Sequence, residues 1–266
     1  MDKASLIGII LGFSGLLVGM IFKHVSPVVL LNPAAFFIIM VGTAGAVSIA
    51  FPGHELKKLP KLLKIIFTSK GSIQVIDLVP TFVNWANIAR KEGLLALEAQ
   101  LNEVDDPFLK NGLSLAIDGQ SPEFIRDVMD EEIEAMEERH LAGAGIFTQA
   151  GTYAPTLGVL GAVVGLIAAL GNMADIDALG AAIAAAFVAT LFGIFFGYVI
   201  YHPFANKLKR KSKEEAHVKR VMIEGVLSVL DGQSPTMLEQ KLVSYLPHHE
   251  REKYFASQGQ GGTNDE

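Results

Sequence analysis

The chain has 266 residues, half of them apolar and 19 per cent charged, with a formal net charge of −6 and no cysteine. The missing cysteines exclude disulfides, thiolate metal sites and cysteine nucleophiles, and the acidic balance gives no support to nucleic-acid binding. Length alone would allow one or two soluble domains, but the apolar residues gather in four nearly charge-free windows: 4–22, 28–51, 146–171 and 178–201.

Each window meets the roughly 18 residues a helix needs to cross a hydrocarbon core about 30 Å thick. The expected fold class is therefore all-α, a polytopic membrane protein with four transmembrane helices and a helical cytoplasmic domain. The first window follows Met1-Asp2-Lys3, which looks like the start of a secretory signal. Its apolar stretch is too long for one, and no Ala-x-Ala-like cleavage site follows, so it reads as an uncleaved span. Lys57, Lys58, Lys61 and Lys64 follow the second span, and Lys207, Lys209, Arg210, Lys211 and Lys213 follow the fourth. The loops on the other side hold only Lys23 with His24, and Asp175 with Asp177. Positive charge marks the cytoplasmic side, so both termini and the 52–145 segment are expected in the cytoplasm.

Residues 52–146 carry 10 Lys or Arg against 16 Asp or Glu, while residues 203–266 carry 10 against 9. Such an acidic body suits a partner with basic patches. The 52–145 segment has helix punctuation and few β-branched alternations, so it reads as a helical domain. Ser121-Pro122-Glu123 supplies an N-cap residue, a proline at the first helical position and an acid near the positive end of the helix dipole. The helix it starts is expected to run past Glu138 toward the third span, its carboxylates forming a solvated face.

One internal echo is present. Leu115-Ala-Ile-Asp-Gly-Gln-Ser-Pro122 reappears as Ser228-Val-Leu-Asp-Gly-Gln-Ser-Pro235. Each copy puts a glycine at a left-handed C′ position two residues before a Ser-Pro helix start, which predicts two similar helix-turn-helix corners. Helices are expected over about 204–230 and 235–245 within a C-terminal helical part, 203–255. The tail 256–266 has little to bury and is expected to be disordered.

Within the spans, small residues recur at helical spacing: Gly8 with Gly12, Gly15 with Gly19, Gly161 with Gly165, and Gly193 with Gly197. Such pairs let helix backbones approach closely in lipid. No Asp, Glu, Lys or Arg occupies the central part of any span. Ionisable groups in the bilayer mark ion pathways, so a channel built on this chain needs a partner to supply the titrating carboxylate. The remaining polar side chains are Thr43, Ser48, Thr148, Gln149, Thr152, Tyr153, Thr156 and Thr190, and a lone hydroxyl there is expected to bond back to its own helix. Pro155 should kink the third span and expose carbonyls that can line a polar path. Pro203, at the exit of the fourth, is consistent with simply ending the membrane helix. No phosphate-binding Gly-x-x-x-x-Gly-Lys-Ser/Thr loop is present, so ATP is not expected as energy source. Glu137-x-x-His140 is half a di-iron pattern with no second copy, and His248-His249-Glu250 reads as solvated tail. No enzymatic activity, cofactor or metal is expected.

Three segments together resemble the MotA family of flagellar stator subunits, in the MotA/TolQ/ExbB proton channel superfamily. They are Arg90-Lys-Glu-Gly-Leu-Leu-Ala-Leu-Glu98; Tyr153-Ala-Pro-Thr-Leu-Gly-Val-Leu-Gly-Ala-Val-Val-Gly-Leu166; and Ala184-Ala-Ala-Phe-Val-Ala-Thr-Leu-Phe-Gly193 leading to His202-Pro-Phe-Ala-Asn-Lys-Leu208. With the four-span layout, the resemblance covers nearly all of residues 1–250. It implies a stator subunit, five copies of which surround two copies of MotB, whose membrane helix carries the proton-accepting Asp. It further implies that ion flow turns the ring and that the cytoplasmic domains push on FliG of the rotor.

By the same resemblance, Arg90 and Glu98 are the rotor-contact charges, expected on a surface helix. Pro155 and Pro203 couple the channel to the cytoplasmic domain, and Thr190 lines the channel. Sodium-driven relatives carry Thr after the glycine matching Gly161; Ala162 stands there in this chain and offers no oxygen, so protons are the expected coupling ion. The alternatives are a sodium-driven stator, an ExbB/TolQ-like energising subunit, a secondary transporter and a membrane scaffold without ion flux. The paired amino-terminal spans argue against the second of these, and the lack of charged or broken midplane helices in matched halves against the third.

Overall fold

Asn32 decides where the second membrane helix begins. Its side chain accepts a hydrogen bond from the Ala35 N–H at 3.1 Å, and Pro33 follows at the first helical position, where its missing N–H is not needed. The span expected at 28–51 therefore starts at Pro33, and Pro27–Leu30 forms a separate 3₁₀ turn before it.

The computed structural model describes residues 3–68, 73–171 and 173–261. In chain order its helices are α1 (Lys3–Phe22), α2 (Pro33–Ala50), α3 (Gly53–Leu56), α4 (Leu59–Phe67), α5 (Val75–Glu92), α6 (Pro107–Ile117), α7 (Pro122–Leu170), α8 (Ile176–Phe195), α9 (His202–Leu230), α10 (Pro235–Val243) and α11 (His248–Gly261). A 3₁₀ segment, Leu94–Glu103, joins α5 to α6, and a π-helical segment, Phe196–Tyr201, joins α8 to α9. No strand occurs among the described residues. Among the described residues, four helices are long and apolar enough to cross a membrane: α1, α2, α7 and the continuous run Ile176–Leu230.

The acidic helix started by Ser121-Pro122 and the third span prove to be one helix of 49 residues. The fourth span likewise continues without a break. Pro203 does not end it but lies inside a helical run, directly after the π segment, whose wider turn relieves the ring's clash with the preceding carbonyl.

The chain divides into two units, Met1–Lys70 with Arg139–Lys211, and Gly71–Glu138 with Ser212–Glu266. This division departs from the expected boundaries at 52–145 and 203–255. Leu59, Leu62 and Ile66 recur at i, i+3, i+7 on α4 and pack with Ala144, Phe147, Phe204, Ala205 and Leu208, so this short helix belongs with the membrane helices. Lys211 fixes its end by donating to the Ile65 and Thr68 carbonyls at 2.6 and 2.7 Å, taking up acceptors that a helix C-terminus leaves free.

The second unit has its own core. Phe82, Trp85, Phe108, Leu113, Ile125, Met129, Ile133, Met222, Ile223, Leu238 and Leu242 are all fully or nearly fully buried. Its two corners follow the echo in the sequence. Gly119 and Gly232 have φ of +74° and +66°, and the next residue's N–H reaches back five residues, Gln120 to Leu115 O and Gln233 to Ser228 O, both at 3.1 Å. Ser121 and Ser234 then cap the following helices through the Phe124 and Met237 N–H groups. The tail departs from expectation: α11 continues to Gly261, anchored by buried Tyr254, whose hydroxyl donates to Glu239 at 2.7 Å. His248, His249 and Glu250 form its first turn rather than a loose tail. Residues 262–266 lie outside the described residues.

Candidate functional site

In the membrane unit, α7 and α8 meet along a seam of glycines. Gly158 and Gly193 lie backbone to backbone: a Cβ on Gly193 would come within 2.6 Å of the Ala154 carbonyl oxygen and 2.9 Å of the Gly158 Cα. Gly161 faces Ala189, and Gly165 faces Ala186. The sequence pairs Gly161/Gly165 and Gly193/Gly197 thus mark this contact. On α1, by contrast, only Gly12 meets a neighbour, Val199, while Gly8, Gly15 and Gly19 face open space.

Pro155 lies on this seam. Having no N–H, it leaves the Gly151 carbonyl without its helical donor, and Gly197, in the π segment, packs against that carbonyl and the proline ring; a Cβ there would stand 2.8 and 2.9 Å from them. One turn on, the Thr190 hydroxyl donates to the Gly158 carbonyl at 3.4 Å. Pro155, Gly158, Thr190, Gly193 and Gly197 are therefore brought together in one narrow stretch where backbone carbonyls lie close to side-chain hydroxyl.

The other hydroxyls divide. Ser48, Thr148, Thr152 and Thr156 bond back to carbonyls of their own helix, Ala44, Ala144, Thr148 and Tyr153, as expected. Thr190 crosses to the neighbouring helix instead. Thr43 is 3% exposed, and its hydroxyl has no partner among the described residues. Sequence reasoning named Thr43 only as polar; nothing in its neighbours announces an unpaired hydroxyl. The packing of His202 against Gly151 was also not foreseen, because it depends on the π register. Ala162 is half-buried on α7, next to Gly161, and Pro203 is exposed in the first turn of α9.

Arg90 and Glu98 belong to the second unit. Both are exposed, and neither makes an ion pair among the described residues. They do not share one helix. Gly93, with φ of +87°, ends α5, so Arg90 lies in the last turn of α5 and Glu98 in the following 3₁₀ segment. Leu97 is fully buried and fixes that segment to the core, which leaves Leu95 72% exposed beside Glu98.

Four apolar spans, a glycine seam with a proline-loosened carbonyl and a helical unit of separate core define a polytopic helical membrane subunit built for close helix contact. The family model of the MotA/TolQ/ExbB proton channel family matches residues 100–221. Motility protein A of Bacillus subtilis is 65% identical over 260 residues, covering 98% of this chain and 96% of that protein. Among solved structures, the flagellar MotAB stator complex from Bacillus subtilis aligns with a TM-score of 0.91 at 64% identity, over 95% of this chain and 99% of that one. The C. jejuni MotAB structure aligns at 0.88 and 32% identity, over 93% and 97%. The chain belongs to the MotA/TolQ/ExbB proton channel family, and within it to the MotA-type stator subunits of the flagellar motor.

Proposed function

We propose that this chain assembles as five copies around two copies of a MotB partner and that the partner's membrane helix supplies the proton-accepting Asp. The observation that carries this reading is the absence of any Asp, Glu, Lys or Arg from the interior of the four spans: a proton channel needs a titrating group in the membrane, and this chain has none to offer. Both solved structures named above are of MotAB complexes, which supports the partnership.

The partner's carboxylate works against the seam described above. Thr190 lines the path, and Pro155 and Pro203 couple proton transfer to movement of the cytoplasmic part. Gly193 and Gly197 let the backbones slide in contact, and the π turn absorbs the change in register. Ala162 leaves the path without a sodium ligand, so protons drive the motor. Both termini and the helical unit lie in the cytoplasm, where Arg90 and Glu98 meet complementary charges on FliG. A contact between exposed charges of this kind gives orientation and specificity and is weakened by salt. The chain carries out no covalent chemistry.

The test is swimming and stator recruitment in a deletion strain complemented with wild type, Arg90→Glu, Glu98→Lys and Pro155→Ala. The charge reversals should abolish or strongly reduce torque while the protein still inserts in the membrane, and opposite changes in FliG should restore it. Pro155→Ala should be recruited normally and turn poorly. Full motility in all three variants would remove these roles.

A further inference from the structure

We infer that α4 and the turn before it carry a headgroup site for anionic phospholipid, formed by Lys57, Lys61 and Lys64. Lys61 and Lys64 stand one turn apart on α4, on the face opposite the Leu59, Leu62 and Ile66 stripe that packs into protein, and Lys57 lies in the turn between α3 and α4, two residues before α4 begins. All three are exposed, as is Lys58. Their side chains make no ion pair or hydrogen bond among the described residues, and Glu55 is the sole acid in 51–68, placed against His54 at 4.0 Å.

Position makes lipid the occupant. The α4 segment follows the end of the membrane helix α2 at Ala50. Ser5, in the first turn of α1, donates to the Ile66 carbonyl at 3.5 Å and receives a hydrogen bond from Lys207. The start of one span, the end of another and α4 are thus held at one level, where headgroups lie. Because its apolar face is already covered by protein, α4 does not dip into the acyl region as a free amphipathic helix would. It presents ammonium groups on stems long enough to reach phosphate, and Leu63, 40% exposed, lies beside them. Clusters of lysines directly beside a span attract anionic lipid surfaces, and the loss of three such charges should weaken retention on the order of 100-fold at low salt.

This inference needs only membrane insertion and stands apart from the torque reading. The experiment uses the full chain purified with its partner and reconstituted in nanodiscs of phosphatidylcholine with a minor fraction of phosphatidylglycerol. Native mass spectrometry reads the retained lipid. Wild type and K57R/K61R/K64R should enrich phosphatidylglycerol, and K57Q/K61Q/K64Q should lose the enrichment, as should wild type at high salt. Equal enrichment by the Gln variant overturns the site, as does a wild type without preference or an acidic protein that replaces lipid on these lysines. Should the Gln variant fail to assemble, the salt titration of wild type against Lys61→Gln decides in the same way.

Discussion

Gly193 illustrates how one residue can hold a helix contact. The atoms that a Cβ would strike at 2.6 and 2.9 Å belong to the backbone of α7, so no rotamer change can make room. Gly193→Ala is expected to force the seam apart and to destabilise the fold by about 1–3 kcal/mol, visible as a lower midpoint of thermal unfolding in detergent. Gly15→Ala, where nothing lies within 4 Å, should leave it unchanged. Thr43 carries the opposite sign. Its buried hydroxyl has no partner among the described residues, and replacing an unsatisfied hydroxyl by a methyl of nearly the same shape removes a desolvation penalty of about 1–3 kcal/mol. Thr43→Val should therefore raise the unfolding midpoint; a lowered one would show that the hydroxyl is bonded within the assembled complex. At this scale the sequence was readable where chemistry is local: the Gly pairs of α7 and α8 and the helix-bonded hydroxyls. Thr190 and Thr43 differ from Thr148 only in which neighbour faces them, and that is tertiary information.

The second unit's elements are tied by an ion network at Glu224 of α9. Arg126 of α7 reaches one carboxylate oxygen at 2.8 Å, and Lys241 of α10 reaches the other at 2.7 Å. Burial by itself raises the Glu224 pKa, but hydrogen bonds from Lys241 and Arg126 together outweigh it and hold the carboxyl below its ordinary 4.5. A carboxyl with a depressed folded pKa stabilises the fold above its unfolded pKa, and that stability is lost as pH falls through the folded value. Glu224→Gln should thus lower the melting point at neutral pH, and the gap to wild type should close as pH drops below about 4.5. Thermal melts of both proteins from pH 7 to 3 provide the check; a gap that stayed constant would assign the effect to packing. The caps and corners of these elements could be read in advance, since Asp-Gly-Gln-Ser-Pro fixes a left-handed turn and a helix start by local geometry alone. The π segment could not, because no residue type in Phe196–Tyr201 demands it; it follows from packing against Gly151 and Pro155.

For the whole molecule, hydropathy made the four spans legible, since a bilayer imposes length and composition directly on the sequence. The division into units was less so, because α4 is short and its allegiance rests on Phe147 and Phe204, far away in the chain. The choice of ion is also a property of the whole path. A sodium ion sheds water only where several oxygen ligands replace it, as hard cations require. In the path proposed above, the Thr190 hydroxyl is engaged with the Gly158 carbonyl, and Ala162, next to Gly161, contributes a methyl group and no oxygen. A proton needs no such cage, only a carboxylate to visit and water to reach it. Cells that swim on this chain and its partner should therefore keep their speed when external sodium is replaced by potassium. They should stop when an uncoupler collapses the proton gradient while the sodium gradient is maintained. Motility that instead tracks sodium would mean that oxygens from the partner helix complete a site which this chain's own residues do not provide.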